Sequence, residues 1–180
     1  YFDSEAAPEK DLVYLHGSLA VESATGTETF IPLVAEQPED ESRAWQQFQY
    51  VVAEYPTAPV YHFCPYEAQT VRRLAKVYGS IIDIEDLLSR FVDIHQRVTA
   101  AVVLPVESYA LKPIARWMGF DWRDEDANGA QSICWYDNWV KECDRAYLDL
   151  ILRYNEDDCR ATYRVKQWLT DFAKPHWEHP

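Results

Sequence analysis

The sequence predicts an α/β fold: a central mixed five-stranded sheet flanked by helices, in the order βββαβαβα. Three extended segments separated by turn signals crowd the first 34 residues, as in a meander. From residue 43 onward, apolar side chains recur at the three-and-four spacing of amphipathic helices. Short β-branched and aromatic runs between those helices supply the remaining strands.

Taken in order, Tyr1, Phe2, Asp3, Ser4 and Glu5 alternate as a strand does, and Pro8 ends the run. Residues 12–21 form an apolar stretch interrupted by His16 and Gly17. A polar turn at Thr25, Gly26 and Thr27 then precedes an extended run over 29–34. Trp45, Phe48, Val51, Val52 and Tyr55 place a helix over 43–55, stopped by Pro56 and Pro59. Val60, Tyr61, His62 and Phe63 are a short strand. Val71, Leu74, Ala75 and Tyr78 give a helix over 66–78 that stops at Gly79. Within 82–96 the spacing of Ile84, Leu87, Leu88 and Phe91 suits a helix, while residues 91–94 suit a fifth strand equally well. Residues 108–118 read as a helix ended by Gly119, and 121–137 as a polar, Trp-bearing loop long enough to act as a lid. The last helix spans about 141–172, with Leu148, Ile151, Asn155, Asp158, Thr162, Val165 and Leu169 on one stripe.

The 180 residues fit one domain, 1–180, able to bury a core without disulfides or structural metal. The 48% hydrophobic content and seven Trp exclude a disordered chain. The longest purely apolar run, 100–104, is far short of the roughly 20 residues that cross a bilayer, and no signal-peptide pattern opens the chain. A cytoplasmic chain with no membrane partner is the expectation. Cys64, Cys134, Cys143 and Cys159 form no CxxC pair and read as reduced thiols. A net charge of −13 argues against a nucleic-acid surface, which needs Lys and Arg. Clustered acids are nevertheless what a divalent-cation site requires, and bound cations would supply a local positive field.

Asp3 and Glu5, two apart on a strand, project from one face, where their like charges repel unless a proton or a cation intervenes. Hard oxygen ligands suit Mg²⁺ or Mn²⁺. Tyr154 and Asp158 lie one turn apart on the last helix, and Asp158 falls on its buried stripe, where an unpaired carboxylate is costly. Glu156 and Asp157 point elsewhere and read as a solvated face.

With those residues in view, Phe2-Asp3-Ser4-Glu5 resembles the first motif, and Tyr154-x-x-x-Asp158 the third, of the DEDDy branch of 3′–5′ exonucleases in the RNase H-like superfamily. Residues 62–67 occupy the place of the second motif, with Glu67 where the family carries Asp. The runs around Tyr61 to Glu67, Ser108 to Lys112 and Tyr154 to Cys159 are similar to the RNase H-like predicted nuclease domain of bacterial RecB-family-like nucleases. That resemblance implies an RNase H-like fold and two Mg²⁺ or Mn²⁺ ions. Asp3 would bridge the two, Glu5 and Asp158 would complete the ion on the nucleophile side, and Glu67 would serve the other through water. Tyr154 would orient the attacking water.

The resemblance also implies hydrolysis of single-stranded DNA or RNA from 3′ ends, a link to DNA repair, and neighbouring nuclease or helicase domains in a longer parent. The abrupt strand at Tyr1 fits such an excision. A catalytically weak binding module is the alternative. Lys112, at a helix start, is a phosphate-facing candidate, while His62 and Tyr66 flank the site as substrate-side residues. Asp93, flanked by apolar residues, could line the cleft behind the ligands, but a capping or solvated role is favoured. Gly129, Ser132, Trp135 and Tyr136 could shape the path of a single strand, although loop aromatics are more often packing anchors.

Overall fold

A computed structural model describes residues 1–172, so residues 173–180 of the span read as one domain lie outside the described residues. Strands β1 (Phe2–Ala7), β2 (Leu12–Val21) and β3 (Glu28–Val34) form an antiparallel meander with β2 in the middle. Helix α1 (Glu41–Glu54) is followed by β4 (Val60–His62), α2 (Tyr66–Tyr78), α3 (Ile84–Ser89), β5 (Phe91–Asp93) and α4 (Ile94–Ala101). Then come α5 (Leu111–Trp117), α6 (Gly129–Glu142) and the 28-residue α7 (Arg145–Phe172).

β2 is buried from Leu12 to Gly17 because it is the central strand of a sheet covered on both faces, which is why Leu12 to Leu15 run apolar rather than alternating. On one face Phe2 and Val13 pack with Trp45, Phe48 and Val52 of α1 and Val71 and Leu74 of α2. On the other, Leu12, Tyr14 and Leu15 pack with Tyr136 of α6 and Ile151 of α7. A third cluster joins Ile94, Val98, Ile114 and Trp122 to Tyr154, Ala161 and Val165 of α7.

The strands depart from a single five-stranded sheet. β4 lies beside β1, with Tyr1 stacked on Tyr61 at 5.1 Å, but it pairs in parallel with β5 as a separate two-stranded ladder. At three residues each, β4 and β5 are long enough for only a short ladder. The ambiguity over residues 82–96 resolves into both readings in succession, a helix over Ile84–Ser89 and then a strand over Phe91–Asp93. Most of the expected lid, 121–137, is helical: α6 starts at Gly129, after Asn128 accepts a hydrogen bond from the Gln131 amide at 3.0 Å. Its polar outer residues mask a buried stripe of Ser132 and Tyr136 that packs on β1 and α7. Tyr136 stacks on Tyr14 at 4.3 Å and donates to the Ala35 carbonyl at 2.8 Å, a packing anchor rather than a stacking platform. No helix among the described residues is long and apolar enough to cross a membrane.

His16, fully buried between Phe2, Trp45 and Phe48, has no hydrogen-bond partner on either ring nitrogen among the described residues. Burial, helped by the Arg73 charge, holds its pKa down at about 3. Because the folded value lies below the unfolded one, its contribution to stability is complete above about pH 6.5 and is lost as the pH falls towards 3. His16→Phe is expected to recover about 2 kcal/mol at pH 4.5 relative to pH 7.5, read as the change in urea midpoint against the parent chain.

Candidate metal centre

The site begins with a glycine. Gly17 of β2 stands opposite Asp3 of β1, and a Cβ on Gly17 would fall 1.6 Å from Asn155 Oδ1 of α7. Only a residue without a side chain lets α7 approach the sheet this closely. Asn155 then donates from Nδ2 to Asp3 Oδ2 at 2.7 Å, and Asp158, three residues further along the helix, comes to lie beside β1. Ligand atoms of Asp3, Glu5 and Asp158 all lie within 4.8 Å of one another.

Among the described residues no ion pair neutralises any of the three. Burial pushes the pKa of Asp3 well up, and the carboxylates of Asp158, Glu5 and Glu67 push it further. Burial and then Asp158 raise Glu5, and burial raises Asp158. The donors that draw these values back down are mostly uncharged: Asn155 at Asp3; Ser132, Asn155 and Tyr14 at Glu5; Trp122 and Tyr154 at Asp158. The Tyr14 hydroxyl lies 2.8 Å from Ser132 Oγ. Such donors fix the orientation of a carboxylate without cancelling its charge, so this donor set fits a hard divalent cation.

Glu67 lies outside the three-carboxylate group but close enough to raise Asp3. Its side chain is buried, Oε2 is 3.5 Å from His62 Nδ1, and burial raises its pKa while His62 lowers it. His62 Nδ1 is also 2.7 Å from the Cys64 carbonyl, so it braces the turn into α2 beside the cluster. Cys64 takes a left-handed φ of 72°, and its amide donates to Asp93 Oδ1 at 3.1 Å. Asp93 also accepts from the Gln96 amide at the start of α4, so of the roles open to it the structure shows the cap.

The Tyr154 ring is largely buried, and burial together with Asp158, Glu5 and Asp3 raises its phenol pKa steeply, so it keeps its proton and acts as a donor. Lys112 lies with its ammonium 5.2 Å from the Trp122 ring centre and 5.4 Å from that of Tyr154, donating to the Ala127 carbonyl. It therefore faces the aromatic wall of the centre, where its charge lowers the Asp158 pKa. Tyr66 is 41% exposed on the first turn of α2. Asp157 is not on a solvated face: it is buried, taking the Arg123 amide on Oδ2 at 2.9 Å and Arg123 Nε on Oδ1 at 2.8 Å. An arginine some thirty residues away in sequence supplied the partner that helix geometry alone does not reveal.

Sequence reasoning passed over Gly17, Tyr14, Asn155 and Trp122. Asn155 carried a readable signal, a neutral amide on the buried stripe three residues before Asp158. Trp122 gave none, because a loop Trp looks the same whether it fills space or aims its N–H at a carboxylate.

A covered sheet that gathers carboxylates from its first strand and last helix defines an acid-centred α/β domain of the nuclease type. The chain belongs to the RNase H superfamily, whose family model matches residues 1–170. No curated protein and no solved structure matches it. Membership supports a nuclease-like, nucleic-acid-related hydrolase function.

Proposed function

We propose that the chain is a divalent-metal-dependent 3′–5′ exonuclease of the DEDDy type, hydrolysing single-stranded DNA or RNA with two Mg²⁺ or Mn²⁺ ions. The convergence of Asp3, Glu5 and Asp158 within 4.8 Å, held by uncharged donors, carries this reading. Asp3, Glu5 and Asp158 would hold the metal, with Glu67, close enough to raise the Asp3 pKa, serving the second ion through water. Bound there, divalent cations supply an activated water at neutral pH and stabilise charge on the leaving 3′ oxygen.

The chain's own residues do the rest. Asn155 and Trp122 donate to one oxygen each of Asp3 and Asp158 and so fix how those carboxylates are turned. Tyr154, still protonated, offers an O–H to orient the attacking water. Lys112 places a positive charge at the wall of an otherwise acidic centre, where it would face a scissile phosphate. His62 keeps Glu67 in place, and the exposed Tyr66 flanks the path of the strand. A neighbouring domain of a longer parent would provide the basic surface that a chain of charge −13 lacks.

Incubation with 5′-labelled single-stranded DNA and RNA in Mn²⁺, Mg²⁺ or EDTA tests the proposal. Shortening from the 3′ end in either metal, absent in EDTA, is expected. Binding of the same strands without cleavage in any metal would sink it and favour the inactive binding module, the reading to which Glu67 and the net charge lend support.

A further inference from the structure

We propose that Trp122 is a positioning residue for Asp158, delivered to it by a strap over residues 120–127 that is fastened to α7; this rests on the metal-centre reading above. The indole is buried, and its N–H donates to Asp158 Oδ1 at 2.7 Å. That bond commits one Asp158 oxygen and, with Tyr154 as the other uncharged donor, sets how the carboxylate is turned.

The strap holding the indole is fixed on both sides of it. Phe120 packs edge-on against the indole at 5.1 Å, and its amide is bonded to the Ala115 carbonyl at 2.9 Å. Arg123 closes a fork on Asp157 with its amide and Nε, then extends Nη2 to the Arg153 carbonyl and to Glu156, each at 2.9 Å. Arg153 reaches back to Asp124 at 3.3 Å. Lys112 lies over the indole face and ties down Ala127. The Arg123 and Arg153 contacts join the segment to residues 153–157 of α7, directly before Asp158, while Phe120 and Lys112 tie it to α5, so the indole is held on both sides against the carboxylate. A residue wanted only for volume needs neither the N–H nor this fastening. Groups outside the ligand set that orient a ligating carboxylate typically change metal affinity by about tenfold or more when removed.

Trp122→Phe keeps most of the ring and removes the N–H. Calorimetric titration of MnCl₂ into the whole chain is expected to show Mn²⁺ binding about tenfold weaker in this variant, with the melting temperature in EDTA nearly unchanged. Equal affinity in parent and variant would overturn the role of Trp122 while leaving the metal centre intact; no Mn²⁺ binding by the parent would overturn the metal centre itself. Should the variant fail to fold, the assigned indole N–H resonance of the parent decides: protection from solvent exchange and a shift on adding MgCl₂ support the coupling, and a resonance indifferent to Mg²⁺ removes it.

Discussion

Asp158→Asn is expected to lose hydrolysis by about a thousandfold or more while making the metal-free protein more stable. The loss follows from taking one carboxylate out of the set proposed to hold the metal: several kcal/mol of transition-state stabilisation correspond to about three powers of ten in rate. The gain follows from the apo protein itself. Asp158 is buried with Asp3 and Glu5 close by and no ion-pair partner among the described residues, so its charged form is disfavoured in the folded state. Asparagine retains an oxygen for the Trp122 N–H and abolishes the charge.

The pH dependence of that gain has a definite sign. The folded-state pKa values of Asp3, Glu5 and Asp158 are all raised, so the folded protein binds more protons than the unfolded chain. Near pH 4 the groups are largely neutral in the folded state and only about half ionised in the unfolded chain, so the penalty is small. The penalty develops as the pH climbs through the raised values and is fully present above them. Urea unfolding in EDTA should therefore show Asp158→Asn matching the parent near pH 4 and exceeding it by about 2 kcal/mol near pH 8. Saturating Mn²⁺ should reverse the order at pH 8, because a ligand that binds only the folded parent adds its binding free energy to stability. A variant less stable than the parent in EDTA at pH 8 would mean that the carboxylates are not in conflict.

The elements most legible in the sequence are those whose pattern is set by one neighbour. β1 declared itself by alternation, α1 and α2 by their apolar stripes, Asp3 and Glu5 by like charges two apart on one strand face, and Asp158 by the cost of placing a carboxylate on a buried stripe. What escaped depends on partners distant along the chain. α6 looked like a loop because its inward residues include Ser132 and Tyr136, whose polar atoms meet Tyr14 and the Ala35 carbonyl only once β2 is in place. Asp157 looked solvated because its partner, Arg123, lies in an irregular segment with no periodicity to read. Strand pairing was harder still: two three-residue strands carry too few side chains to specify whether they extend a sheet or pair with each other.

Gly17→Ala should be the most damaging single methyl group that can be added near the centre. The new Cβ would lie 1.6 Å from Asn155 Oδ1 and 2.7 Å from its Cγ, with the Phe30 ring at 3.2 Å on another side. Asn155 is fully buried on α7, its Nδ2 is committed to Asp3, and a short side chain has no distant end to swing away. Relief requires either that Asn155 abandon Asp3 or that α7 lift from the sheet, and a close-packed interior resists both. Overpacking of this kind costs about 3 kcal/mol, measurable as a fall in urea midpoint with an unchanged slope. Since Asn155 and Asp158 share that face of α7, the same displacement should weaken Mn²⁺ binding in the variant. Gly17→Ala combined with Asn155→Gly, which clears the clash, should recover part of the lost stability without restoring full metal affinity, because the hydrogen bond that fixes Asp3 is gone. Stability and metal binding would then separate along the line the geometry draws: Gly17 sets how near the helix comes, and Asn155 turns that nearness into an oriented carboxylate.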